Sequence, residues 1–197
     1  MSTEPNIETH PLEPFLPPNA RLLMMGSFPP PKVRWKMEFY YPNYQNDMWK
    51  IFGLVFFGNK EHFLDIANKN FKEQQIRDFL MEKGIAIFDT AYQIIRLKGN
   101  ASDKFLHIAQ ATDLNKLLQQ IPECNSIMTT GDKATDTLML SMPEHTEKPL
   151  IGHASKTYFA ERELTLYRMP SSSRAYPLAL EKKAEAYTQL FKEIGLL

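Results

Sequence analysis

The chain has 197 residues, 43% of them hydrophobic, and its 23 basic side chains balance 23 acidic ones. That length fills one core and marks no second domain, while the even charge excludes a large basic field as the chief means of gripping nucleic acid, because such a field neutralises many phosphates. No run approaches the roughly 20 apolar residues that span a bilayer, and the polar start MSTEPNIETHPLEP lacks the basic-then-apolar order of a secretory signal, so a cytoplasmic protein without a membrane segment is expected.

A single cysteine, Cys124, excludes an internal disulfide, and the scattered histidines show no metal-ligand spacing. Cys124 reads as a small core residue. Neither a metal nor an organic cofactor is expected, and the expected state is a monomer.

Residues 1–20 are polar and proline-rich, as suits an arm or lid wrapped on the body, with residues 21–197 forming one α/β domain. Arg21 to Met25 is a short apolar run bounded by turn signals, the pattern of a central parallel strand. It breaks at Gly26-Ser27. Pro29, Pro30 and Pro31 then remove three backbone donors and fix φ, so the segment is neither helix nor central strand but a rigid, exposed loop. From Asp47 the pattern changes to helical spacing, with Met48, Ile51, Phe52, Val55 and Phe56 on one face.

Phe71 to Lys83 reads as a second amphipathic helix stopped by Gly84, and Ile85 to Phe88 as a second strand ending at Asp89-Thr90. Tyr92 to Ser102, with Gly99-Asn100 inside it, reads as a polar, partly basic connection. Ala111 to Gln120 is a helix ended by Pro122, Ser126 to Thr130 a third strand closing at Gly131-Asp132, and Ala134 to Leu140 a helix. Leu164 to Met169 is a fourth strand running into Pro170-Ser171-Ser172-Ser173-Arg174, and Leu180 to Ile194 is the final helix. Strands alternating with helices imply a three-layer α/β/α domain on a central four-stranded parallel sheet, with right-handed crossovers. All four strand-end loops then open on one edge.

Ligands of open α/β sheets sit beyond the carboxyl ends of the strands, so the loop after Gly26 is the first place to look for a site. It leads into Phe39, Tyr40, Tyr41 and Tyr44, flat faces for stacking, and into Asn43, Gln45 and Asn46, carboxamides for reading polar edges. That inventory suits a nucleobase. Lys32, Arg34 and Lys36 alternate around Trp35 and Arg174 sits in the last loop, offering a local basic patch within a neutral chain. Taken singly, each is better explained as a solvated surface charge.

These residues resemble the uracil-DNA glycosylase superfamily, and most of all its hypoxanthine-DNA glycosylase branch. There the first strand ends in a Gly-Ser-x-Pro loop, here Gly26-Ser27-Phe28-Pro29, followed by a Tyr pair, here Tyr40-Tyr41, and by an Asn-x-aromatic-Trp element opening a helix, here Asn46-Asp47-Met48-Trp49. Gly84 to Asp89 is similar to the family's second strand, and Met169-Pro170-Ser171-Ser172-Ser173 to its closing Pro-Ser loop. The resemblance covers roughly Arg21 to Tyr176 in four islands. Two departures stand out: Pro31 and the Arg34-Trp35-Lys36 segment replace the glycine expected after Pro29, and Met169 stands where several branches carry a histidine.

The resemblance implies excision of a deaminated base, uracil or hypoxanthine, by base flipping and hydrolysis of the N-glycosidic bond, with DNA containing that base as the partner. Asn46 would hold the attacking water, since a carboxamide positions water without acting as a base; the plainer account of this residue is a helix cap. Ser27 lies where uracil-cleaving branches place a catalytic Asp or Asn, so a modest rate is implied. Phe28 or Tyr41 would stack on the flipped base, and Asp89 would read a ring N–H or amino edge; the plainer accounts are core aromatics and a helix start. Pro170, Ser171, Ser172, Ser173 and Arg174, with Arg34 and Lys36, would contact DNA phosphates and groove; the bland alternative for the serines is a turn.

Other chemistries fit less well. A serine hydrolase drawn from Ser172, Asp89 and His153 lacks a Gly-x-Ser-x-Gly elbow, and a dinucleotide enzyme lacks Gly-x-Gly-x-x-Gly after the first strand. An iron-sulfur branch needs four cysteines. The rival from a different class is a glycosylase fold that only binds nucleic acid or a nucleotide, which Ser27 and the zero net charge favour.

Overall fold

The structure, a computed structural model, describes residues 4–97 and 106–197. Its centre is β2 (Leu22–Gly26), buried along its whole length. It pairs in parallel with β5 (Ile85–Asp89) on one side and β8 (Ser126–Thr130) on the other, Leu22 standing opposite Ile85 and Ser126. Leu22, Leu23 and Met24 are wholly enclosed, and burying a side chain of that size stabilises by about 2 kcal/mol. β10 (Arg162–Met169) adds to β8 in parallel, and β9 (Ala154–Phe159) closes that side as an antiparallel edge. The order β5-β2-β8-β10-β9 thus contains the four expected parallel strands plus one more. β9 was not legible because its ASKTYF sequence is mostly exposed and carries no apolar run.

Helices flank the sheet. α1 (Met48–Phe57) and α5 (Leu180–Glu193) meet through Phe52, Phe56 and Phe191, with ring centroids 5.4 and 4.9 Å apart. α2 (Glu73–Lys83) ends on Gly84, whose φ of +71° is the left-handed cap that the sequence calls for. α3 (Leu114–Gln120) and α4 (Asp132–Leu140) complete the set. Two minimal strands, β3 (Leu64–Asp65) and β4 (Asn70–Phe71), form a small ladder between α1 and α2.

A second, antiparallel sheet corrects the sequence reading. The expected polar connection from Tyr92 is instead β6 (Ala91–Arg96), paired with β7 (Leu106–Ala111) and with β1 (Ile7–Thr9) from the amino-terminal segment. It buries Ala91, Ile94 and Leu106 in a small cluster of their own, which Phe28 joins. Gly99-Asn100 lies outside the described residues. Because β7 runs to Ala111, α3 begins only at Leu114, where the Asp113 side chain caps it by accepting from the Lys116 N–H at 3.1 Å. Beyond β1 the chain runs along the exposed side of β5, Phe15 exchanging both backbone bonds with Ile87 at 3.0 and 2.9 Å. That pairing covers an edge which would otherwise present open donors and acceptors.

Candidate active site

Because β2, β5, β8 and β10 run parallel, their carboxyl ends share one rim. A cleft of about 820 Å³ opens there, lined by Gly26, Ser27, Phe28, Arg34, Tyr41, Asn46, Asp89, Thr130 and the turn from Ser171 to Pro177. Its size is within the ordinary range for ligand clefts, and its position is the one expected for an open α/β sheet. Asp132, at the start of α4, turns aside to pair with Arg168, leaving Thr130 as the β8 contribution to the cleft.

The wall made by the first loop is stiff for local reasons. Its prolines fix the backbone, the Trp35 indole donates to the Pro30 carbonyl at 2.8 Å, and Lys36 N–H donates to the Pro42 carbonyl at 2.8 Å. From β6, Arg96 donates to the Pro29 carbonyl at 3.1 Å while pairing with Glu8. The loop delivers Tyr41 with a φ of +52°, an uncommon conformation for a non-glycine residue. Its hydroxyl is 3.2 Å from Thr130 Oγ1. Strain of this kind collects where surroundings over-determine a site.

Asn46 lies half-buried on the opposite wall, just before α1. Its Oδ1 accepts the Met48 N–H at 2.9 Å from one position before the N-cap residue Asp47, so it satisfies a free donor at the helix start, and it also lines the cleft. An amide oxygen has a second lone pair, which leaves room for a water. The next residue ties this wall to the last loop. Asp47 N–H donates to the Ser172 carbonyl at 2.9 Å, and the Asp47 carboxylate accepts from Lys183 Nζ at 3.0 Å. Lys183, fully enclosed within α5, also donates to the Ser173 carbonyl at 2.9 Å. One buried ammonium therefore holds Asn46 and the serine turn in register.

The turn adds its own bonds, Ser173 N–H to Ser171 Oγ at 3.2 Å and Ala175 N–H to Ser173 Oγ at 3.3 Å. Such local bonds are what fix short serine turns. Pro170 is buried behind the turn, its carbonyl accepting the Tyr187 hydroxyl at 3.4 Å. Arg174 is exposed at the rim. Near it, partial burial and then the Arg174 charge press the Lys50 ammonium below its ordinary pKa. Two cations so placed favour an anion between them.

The floor belongs to Asp89. Its Oδ2 is 2.7 Å from His10 Nε2, and its backbone carbonyl accepts the Thr112 hydroxyl at 2.6 Å. Oδ1 lies only 2.9 Å from the point where a Cβ on Gly26 would stand, and the Tyr41 hydroxyl 3.1 Å from it, so a side chain there would push both polar groups out of place. Ser27 is buried beside them, its carbonyl bonded to Ala91 N–H. Phe28 presents an edge to the His10 ring at 5.3 Å, with the Arg96 guanidinium 5.9 Å from its centroid.

Of the sequence-nominated residues, Ser27, Phe28, Arg34, Tyr41, Asn46, Asp89 and Ser171 to Arg174 therefore converge on one cleft. Lys36 is exposed and outside the lining, and Pro170 shapes the turn from beneath. His10, Thr130, Lys183 and Lys50 were not nominated from the sequence: Thr130 and Lys50 border elements that were read, while His10 and Lys183 are tied to the site only through the distant partners Asp89 and Asp47. Among the described residues no three His, Cys, Asp or Glu side chains form a metal-binding group, and no helix is long and apolar enough to cross a membrane.

No family model matches the chain, and no curated protein does. Among solved structures it is similar to the solution structure named "a putative Uracil DNA glycosylase from Methanosarcina acetivorans", with a TM-score of 0.63 at 18% identity over 96% of this chain and 99% of that one. At that identity the likeness is one of fold: a mostly parallel sheet flanked by helices, built along nearly the whole length of both chains.

Proposed function

We propose that the protein is a monofunctional DNA glycosylase that flips a deaminated base, uracil or hypoxanthine, into the cleft and hydrolyses its N-glycosidic bond. The observation that carries this reading is the meeting, in one cleft, of Asn46, Asp89 and the Ser171 to Arg174 turn, with Lys183 bracing two of the three. The shared fold with a protein of that name supports it.

In this reading Arg174 and the turn hydroxyls hold the phosphates flanking the target, and the flipped base lies against Phe28 or Tyr41, stacking being worth about 1 to 3 kcal/mol per base. The free lone pair of Asn46 Oδ1 holds a water against the sugar carbon. As the carbon-nitrogen bond breaks, its electron pair leaves with the base and the sugar becomes oxocarbenium-like. The water oxygen bonds to that carbon, one water proton is released, and the departing base nitrogen takes up a proton. Donors aimed at the base stabilise the charge that develops on it; Ser27, in the cleft lining, supplies the hydroxyl in this reading, and it gives less than a charged group would. The protein acts as a monomer in the cytoplasm.

One observation favours a second reading. The Met48 N–H already occupies part of Asn46 Oδ1, and a hydroxyl at position 27 is a weak catalytic aid, as in a protein that binds a flipped base without releasing it. Base release from oligonucleotides carrying one uracil or one hypoxanthine, compared with Asn46→Ala, separates the two. Release that depends on Asn46 supports the enzyme; tight binding without release from either substrate leaves only the binder.

A further inference from the structure

We infer that His10, contributed by the amino-terminal segment, is a positioning residue for base selection: it orients the Asp89 carboxylate so that one oxygen alone faces the cleft as an acceptor. This deepens the glycosylase reading and rests on it for the identity of the base.

The His10 side chain is wholly enclosed and that of Asp89 nearly so. The imidazole is fixed by three rings, Phe88 at 4.5 Å, Phe28 at 5.3 Å and Tyr40 at 6.0 Å between centroids. Its backbone is fixed by donation of His10 N–H to the Tyr92 carbonyl at 2.8 Å, at the end of the β1–β6 pairing. Nδ1 stands 3.1 Å from both the N–H and the carbonyl of Leu12. The neutral ring accepts from that N–H and the cation donates to that carbonyl, and in both cases Nε2 carries a proton toward Asp89 Oδ2 at 2.7 Å. A second-layer imidazole of this kind fixes the orientation of the group it touches.

With Oδ2 taken up by His10, Oδ1 is the oxygen left beside Gly26 and Tyr41, both of which line the cleft. An acceptor-only oxygen there suits a base whose ring nitrogen carries hydrogen. Uracil and hypoxanthine have that N–H; cytosine and adenine present a ring lone pair at the corresponding position, which the carboxylate repels. The selected class is therefore bases with a lactam ring N–H, uracil and hypoxanthine among them, over their amino parents cytosine and adenine. Without His10 the carboxylate loses its anchor, either turning on its last torsion or leaving Oδ2 buried and unpaired.

The test uses the full chain as wild type, His10→Gln, His10→Leu, Asp89→Ala and the His10→Leu/Asp89→Ala double variant. Fluorescence anisotropy reads the affinity for a single-stranded oligonucleotide carrying uracil or cytosine, hypoxanthine or adenine, at one position, and single-turnover assays read release. The inference expects His10→Leu to reduce the preference for the lactam base by about tenfold, His10→Gln to restore most of it because its amide also donates, and His10→Leu to add nothing once Asp89 is alanine. It is overturned if a folded His10→Leu protein keeps the wild-type preference, if the two single effects add in the double variant, if His10→Gln fails to restore what His10→Leu loses, or if the wild type binds all four bases alike. Wild-type protein that shows the preference and its loss in binding, yet releases no base, sinks the glycosylase reading and leaves the role of His10 standing.

Discussion

Asn46 is asked to do two things, and substitutions separate them. By accepting the Met48 N–H it stabilises the start of α1, worth about 1 kcal/mol; as the proposed water holder it would act only in the reaction. Asn46→Ala is expected to lose both, lowering stability in chemical denaturation by about 1 kcal/mol and base release by about a hundredfold. Asn46→Ser keeps an acceptor for that N–H, so its stability should stay close to wild type while release still falls. Gly26→Ala tests the close approach on the floor: the added Cβ meets only the ends of side chains, Asp89 Oδ1 at 2.9 Å and the Tyr41 hydroxyl at 3.1 Å. Its melting temperature should move little and binding of the target base should collapse. Away from the site, burial pushes the Cys124 thiol up to about 11 from 9.0, so the thiol's contribution to stability is intact below pH 9 and is lost as pH rises toward 11. Burial raises Tyr40 and Tyr187 in the same sense. Cys124→Ala should therefore flatten, without abolishing, the alkaline fall in a pH series of denaturation midpoints. Asn46 and Asp89 were legible because each follows a recognisable break in pattern, whereas His10 was not, because its partner is 79 positions away and nothing local marks it.

At the level of elements, parallel strands were read well and antiparallel ones poorly, for one reason. A strand covered on both faces reads as a near-continuous apolar run, and LLMM and IAIF announce themselves. β6, β7 and β9 each keep one face in solvent, and their exposed Tyr92, His107 and Lys156 break the apolar run. The most consequential element contact was equally hidden: Lys183 reads as one of two adjacent lysines on the polar side of α5, yet it is fully buried on Asp47. Removing one partner of a buried pair leaves the other charge uncompensated. Lys183→Met is expected to cost about 3 kcal/mol in denaturant unfolding, and Asp47→Asn combined with it should recover part of that loss. Any Lys183→Met protein that does fold should bind DNA with a misplaced serine turn, seen as weakened affinity for every base alike.

For the molecule as a whole, zero net charge means that the proposed affinity for DNA would come from a few placed cations. With Arg174, Lys50 and Arg34 as phosphate contacts, the slope of log affinity against log salt should be shallow, about −2 on a single strand. Arg174→Ala should weaken binding to all sequences similarly and flatten that slope by about one contact's worth; a loss confined to one damaged base would instead make Arg174 a base reader.

The buried ammonium also bears on what holds the cleft together. α5 follows every other part of the cleft along the chain, and Lys183 within it links the Asn46 wall to the serine turn. A chain cut before Lys183 is therefore expected to lose the bond that joins the two walls of the cleft, together with the core packing of Phe191 on Phe52 and Phe56.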